Sequence, residues 1–351
     1  MKKHWWKVLG VIILLYVFTA GLLVPLKTGI SDISPQVFKT GQRAELHVRG
    51  YNSHYTRAEG QLRAWLKADS EHAIAAIAID VLDDRQLKIA FEIPKALPNE
   101  ASMVDCSLII DSPVDGVHLY PAGIRLMQDS LRLAADTLAW TLAPLENLHY
   151  HRGFTFPYRN ILAETIRNTY FHVSLWFAMF ILFVAALVYS IRYLRRPASH
   201  YDHWAASLTS VGMLFGILGL ATGAVWARYT WGAFWSWDVK QNMTAVGLLI
   251  YGAYFVLRGA FEDPERRARL SAVYNIFAFS TLIPLLYVIP KLTDSLHPGA
   301  GGNIAFGSQD LDNTMRLVFY PSIIGWTLLG LWIAQLVFRK KSIEEKLLHR
   351  H

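Results

Sequence analysis

Residues 169–191 read TYFHVSLWFAMFILFVAALVYSI, a stretch with no Lys, Arg, Asp or Glu. About 20 mostly apolar residues are enough for a helix to cross the hydrocarbon core of a bilayer. This stretch therefore reads as a membrane span. Working outward, five more segments share the pattern: Trp5 to Leu26, Trp204 to Trp226, a shorter one from Val239 to Leu257, Leu270 to Pro290, and Leu317 to Phe338. They account for a chain that is 53% hydrophobic and only 17% charged, where a soluble domain carries about 25% charged residues. That composition excludes a disordered chain and speaks against an ordinary cytosolic enzyme. The expected fold is mainly α, a polytopic membrane protein with six transmembrane helices.

Charge sets the expected orientation, because Lys and Arg concentrate in cytoplasmic connections. Lys2, Lys3 and Lys7 open the first span, and Arg192, Arg195 and Arg196 follow the second. Arg258, Arg266, Arg267 and Arg269 lie between the fourth and fifth, and Arg339, Lys340 and Lys341 follow the sixth. With six spans all of these fall on one side, the cytoplasm, and both termini lie there. The first segment also has the look of a signal peptide, with lysines ahead of an apolar run. Its length, the Trp5–Trp6 anchor and the lack of a clear A-x-A site favour retention. The net charge of +7 is then topological, and no nucleic-acid partner is expected. One cysteine, Cys106, excludes an intramolecular disulfide, CxxC chemistry and a CxxCH haem attachment site.

Between the first two spans, residues 28–130 look soluble. Alternation predicts strands over Ala44–Gly50, Gly60–Lys67, Ala73–Val81, Gln86–Ile93, Met103–Ile110 and Gly116–Leu126, with a hairpin turn at Asp83-Asp84. Short strands separated by turns predict an inserted all-β domain, an immunoglobulin-like sandwich on the outer side. Ile30 to Asn52 (ISDISPQVFKTGQRAELHVRGYN) resembles the opening strands of IPT/TIG domains. The expected division is a helix over 1–27, the β domain over 28–130, a connector over 131–165, a five-helix membrane domain over 166–340 and a tail over 341–351. The β domain shows no metal or nucleophile pattern and reads as a scaffold or docking module.

The densest signal is Trp226 to Asp238, WARYTWGAFWSWD, on the outward loop between the third and fourth spans. It holds Trp226, Trp231, Trp235 and Trp237, four of the twelve tryptophans. Tryptophan favours bilayer interfaces, so an aromatic belt is one reading. A flat apolar platform for a large planar ligand is the other. Asp238 stands where its carboxylate can cap the fourth helix.

Two histidines join this loop on the outer side. His172 lies near the outer end of the second span and His297 in the loop after the fifth. A lone histidine is usually structural, but imidazole is also a haem-iron ligand, and a pair from separate elements suits an iron clamped from both faces. His47, His54, His72, His118, His149 and His151 belong to the outer domain and connector, and His4, His200, His203, His349 and His351 to the inner side. Arg228, beside the tryptophan loop, is the best placed cation for a ligand's carboxylates, ahead of Lys240, Arg167, Lys291 and Arg316.

Trp231–Asp238 (WGAFWSWD) matches the WGxxWxWD pattern and resembles the haem-handling proteins of cytochrome c biogenesis. The nearer type is CcmC, with the CcsA type related. The likeness runs through the second to sixth spans and takes in the YFHV and SLHPG histidines, LATGAVWA and Met315. It implies haem transport in cytochrome c assembly: one transient haem b held at the outer face, with His172 and His297 as its axial ligands. It also implies delivery to a periplasmic, CcmE-like haem chaperone, together with a small single-span subunit and an ABC transporter. A protein of this kind is a carrier rather than an enzyme. Lys240-Gln241-Asn242 after Asp238 sits nearer the CcsA type, so a cytochrome c haem lyase or synthase subunit is the alternative. CcsA-type proteins also carry mid-membrane histidines, which this chain lacks. A transporter subunit or a membrane hydrolase is less well served, for the spans hold few charges, no clear inverted repeat and no nucleophile pattern.

Overall fold

The computed structural model describes residues 4–98, 102–128, 140, 145–150, 153–297 and 311–348. Lys2, Lys3, His151, Pro298, Gly299, His349 and His351 lie outside the described residues, as does much of the 131–165 connector. The chain forms two compact units, one of Met1–Val24 with Glu164–His351 and one of Pro25–Ala163.

The first unit is helical: α1 (Trp5–Leu23), α2 (His172–Arg195), α3 (Ser199–Trp231), α4 (Val239–Gly259), α5 (Pro264–Ile283), α6 (Ile289–Leu292) and α7 (Asn313–Leu348). A π turn over Pro284–Val288 joins α5 to α6 without interruption. Local chemistry sets these ends. Asp238 caps α4, and Asp263 caps α5 with Pro264 at its first position. Asp312 accepts from Met315 N at 2.8 Å ahead of α7. Gly232, at φ 83°, ends α3 in the left-handed region that favours glycine.

Five helical segments are long and apolar enough to cross a bilayer: Trp5–Leu23, Ala163–Arg195, Ser199–Trp231, Pro264–Leu292 and Asn313–Leu347. The protein is thus a multi-pass membrane protein of mainly helical type. The fourth expected span does form a helix, α4, but is not among those five. Lys240, Gln241 and Asn242 at its start and Arg258 at its end shorten the apolar run. The bundle core forms where α2 places Leu175, Met179, Leu182 and Phe183 at helical spacing against Leu208 and Phe215 of α3, Leu248 and Tyr251 of α4, and Leu282 of α5. Phe183 stacks on Tyr251 with centroids 3.8 Å apart. Buried polar groups pair across helices, as Asn275 does with Ser190 at 3.0 Å and Thr209 at 3.2 Å.

The second unit is a β domain of two sheets. The strands are β1 (Gly29–Ser34), β2 (Val37–Lys39), β3 (Arg43–Tyr51), β4 (Arg63–Lys67), β5 (Ala73–Ala75), β6 (Ala78–Asp83), β7 (Gln86–Glu92), β8 (Met103–Ser112) and β9 (Gly116–Met127). One sheet runs β1-β3-β7-β6 and the other β2-β9-β8-β4-β5. Inward residues of both, such as Leu46, Ile89 and Phe91 with Leu66, Leu108 and Leu126, share one buried cluster. The expected strand over Ala73–Val81 is two strands in different sheets. Ile74, Ile77 and Ile79 show why, since their spacing slips from three to two and the alternation changes phase. The hairpin turn lies at Asp84-Arg85, one residue later than expected, with Asp83 Oδ1 accepting from Arg85 N at 2.7 Å. Connector residues complete this unit. Trp140 joins the core and donates to the Ala96 carbonyl at 3.1 Å, and Phe156 exchanges backbone bonds with Pro25 and Lys27. Burial pushes the Cys106 thiol up to about 12, so it stays protonated and inert.

Candidate functional site

The tryptophan loop is stitched to the helix that follows it. Gln241 Oε1, in the first turn of α4, accepts from Ser236 N at 2.9 Å and Ser236 Oγ at 3.0 Å, and Asn242 Nδ2 donates to the Trp237 carbonyl at 2.8 Å. Asp238 is the hub. Its Oδ1 accepts from Lys240 N at 2.8 Å, which caps α4, and from His297 Nδ1 at 2.7 Å. Its Oδ2 accepts from Leu296 N at 2.7 Å and Ser295 Oγ at 2.9 Å. Burial pushes the Asp238 carboxyl up, but the Leu296 N–H, the His297 ring, the Ser295 hydroxyl and the Lys240 N–H together hold it below its ordinary value. Burial pushes the His297 pKa down against the pull of Asp238, so this imidazole is neutral at pH 7.

His172 is the first residue of α2, and its ring reaches across to α3. Its Nδ1 lies 2.8 Å from the Gly219 carbonyl and 3.2 Å from Thr222 Oγ1. A carbonyl only accepts, so Nδ1 carries the proton. Gly223 makes the approach possible, because a Cβ there would stand 2.6 Å from His172 Cε1. His172 and His297 therefore share one design. Each spends Nδ1 on a fixed acceptor, which leaves Nε2 unprotonated with a free lone pair.

Both imidazoles line one cavity of about 260 Å³. Trp176, Phe180, Trp235 and Tyr287 form much of its wall, with Lys240 and Gln241 at its polar edge. The four motif tryptophans do not form a single stacked plane. Trp235 lines the cavity. Trp226 and Trp231 meet edge to face at 4.9 Å and pack around the His297 ring, Trp231 at 4.8 Å. Trp237, at φ 57°, is 79% exposed. Arg228 is spent on the Gly232 carbonyl at the end of α3 and does not line the cavity. Asp238 sits behind His297, not in the cavity wall.

Sequence reasoning did not single out Trp176, Tyr287, Gln241 or Ser295. Trp176 carried a signal, since it stands four residues after His172 on the same helical face, 6.0 Å from that ring. The donor set suits iron in a planar macrocycle. Among the described residues no three His, Cys, Asp or Glu side chains gather to hold a bare metal ion, whereas a porphyrin needs only axial donors.

The family model described as Heme exporter protein C matches residues 128–350. The chain is 27% identical over 197 residues to the Heme exporter protein C of Bradyrhizobium diazoefficiens, covering 56% of this chain and 70% of the relative. With that of Haemophilus influenzae it shares 24% over 217 residues, 62% of this chain and 82% of the relative. With the cytochrome c biogenesis protein CcsA of Pelargonium hortorum it shares 37% over 118 residues, 33% of this chain and 36% of the relative. A match over more than half its length places this chain in the Heme exporter protein C (CcmC) family, with CcsA proteins as relatives.

Proposed function

We propose that the cavity binds one transient haem b, ligated axially by Nε2 of His172 and Nε2 of His297, and that the protein delivers it for cytochrome c maturation. The observation that carries this is the pair of imidazoles at one cavity, each with Nδ1 already committed. Trp235 stacks on or walls the porphyrin, Trp226 and Trp231 hold the His297 ring, and Asp238 fixes its tautomer. Trp237 lies at the exposed rim, where a partner meets the haem edge. Lys240 and Arg228 serve the propionates, Arg228 by leaving its carbonyl. The chain works as a carrier and breaks no bond with its own side chains.

The recipient is a CcmE-like periplasmic haem chaperone, and a small single-span subunit and an ABC transporter complete the system. The protein sits in a bacterial inner membrane. α4 makes a sixth crossing, supported by the burial of Leu248, Tyr251 and Tyr254 within the bundle. Both termini then face the cytoplasm and the 166–340 site faces outward. The 28–130 domain is an immunoglobulin-like sandwich that docks a partner, supported by its two-sheet core. The kinship with CcsA proteins supports a second reading, a haem lyase or synthase subunit. One assay separates the two. Haem-loaded protein is mixed with purified chaperone or with apocytochrome c. Haem capture by the chaperone alone fits the carrier; covalent haem on apocytochrome c in its absence fits the synthase and overturns the carrier.

A further inference from the structure

Residues 233–237, between the left-handed Gly232 and the Asp238 cap, belong to no helix or strand. Among the described residues none of the five makes a hydrogen bond from its backbone to another backbone group. No ladder fixes the path of this loop, so side chains must supply the partners that its backbone needs. The start of α4 supplies them. Gln241 Oε1 accepts from both Ser236 N and Ser236 Oγ, which uses its two lone pairs, and Gln241 Nε2 donates to the Phe234 carbonyl at 3.5 Å. One amide thus grips the residues on either side of Trp235. Asn242 Nδ2 holds the Trp237 carbonyl.

This grip decides which way the indoles face. In an extended chain, residues two apart share a face. Trp235 and Trp237 do not: the first lines the cavity and the second is exposed. The break lies at Trp237, whose φ of 57° a bulky residue adopts only when its surroundings hold it there. Gln241 is itself buried and lines the cavity beside Trp235. A buried amide is tolerated when its polar atoms are paired, and the partners of this one all belong to the tryptophan loop. Gln241 lies within Lys240-Gln241-Asn242, the stretch that departs from the CcmC-type pattern.

We infer that Gln241 is a positioning residue of the site: by binding the backbone before and after Trp235 it holds that indole in the cavity wall. The inference rests on the haem reading above. The test is a double-mutant cycle on the purified full-length protein, with haem titrated and the absorption spectrum recorded. Gln241→Met keeps the side-chain volume and removes the bonds. It should weaken haem binding by about tenfold, as loss of the Trp235 ring does. The low-spin bis-histidine bands should stay, because His172 and His297 are held by other acceptors. In the Trp235→Ala background the same change should cost less than about twofold, since no ring is left to hold. If Gln241→Met does not fold, Ser236→Ala removes the Oγ contact alone and should give the same pattern with a loss of about threefold. Losses that add in full overturn the inference. So does unchanged affinity in Gln241→Met, or a shift to high-spin bands, which would place its effect on a histidine. In each of these cases the bis-histidine bands of the unaltered protein leave the haem reading standing; an unaltered protein that stays colourless overturns both.

Discussion

His297 Nδ1 donates to Asp238 Oδ1 at 2.7 Å, and the same carboxylate caps α4 through Lys240 N. One side chain therefore fixes both the start of a helix and the tautomer of a cavity-lining imidazole. A carboxylate partner makes Nε2 more basic and a stronger donor to iron. Asp238→Asn keeps a good capping group but removes the charge. We expect haem affinity to fall by about 10- to 100-fold and the iron reduction potential to rise, since the oxidised iron loses donor strength. Haem titration and potentiometry check this; an unchanged affinity and potential would mean the contact is structural only.

Gly223 is the space that His172 fills. Gly223→Ala puts a methyl group 2.6 Å from His172 Cε1, closer than carbon atoms tolerate. The ring must swing away from the Gly219 carbonyl and lose the bond that sets its tautomer. The variant should accumulate in the membrane but take up haem with one histidine in place of two, seen as a shift from low-spin to high-spin bands. A wild-type spectrum would show that the helices part to readmit the ring.

Trp235 and Trp237 are two residues apart and should behave differently. Trp235 lines the cavity and Trp237 is exposed. Trp235→Ala should weaken haem binding by about tenfold, the equivalent of ~1.4 kcal/mol of ring contact. Trp237→Ala should leave haem content intact and slow transfer to the chaperone. Measuring haem occupancy and transfer rate for both variants checks this, and equal loss of occupancy in the two would count against it.

How much of this was readable beforehand depends on whether a feature is local. The α2 span was legible because 23 uncharged residues have no soluble alternative. The strands at Gln86–Glu92 and Met103–Ser112 were legible because alternation is a local pattern. The break between β5 and β6 was harder, for a phase slip of one residue looks like continuation. Both histidines and the tryptophan loop stood out by residue type. Their wiring did not, because the acceptors of His172 and His297 come from residues 47 and 59 positions away. Arg228 shows the same limit: it is beside the motif in sequence, yet its guanidinium is turned to the Gly232 carbonyl.

The β domain should weaken in mild acid. His118 is buried beside the Tyr55 hydroxyl, at 3.2 Å, and burial lowers its pKa from 6.5 to about 4. Above pH 6.5 the ring is neutral in the folded and unfolded states alike and has no effect. Between 6.5 and 4 the unfolded chain takes up a proton that the folded domain refuses, so stability falls as pH falls. The full drop is worth about 3 kcal/mol. Hydrogen exchange of the β8 and β9 amides in the intact protein should quicken across that window. His118→Leu should flatten the slope; an unchanged slope would assign the acid sensitivity elsewhere.

The central claim is that His172 and His297 ligate one iron. The most direct measurement is the absorption spectrum of the purified full-length protein, ferric and ferrous, with His172→Ala and His297→Ala beside it. We predict low-spin, bis-histidine bands in the unaltered protein and their loss in each variant, with partial return on adding free imidazole. A protein that stays colourless when haem is supplied, or a low-spin spectrum that survives both substitutions, would contradict the account.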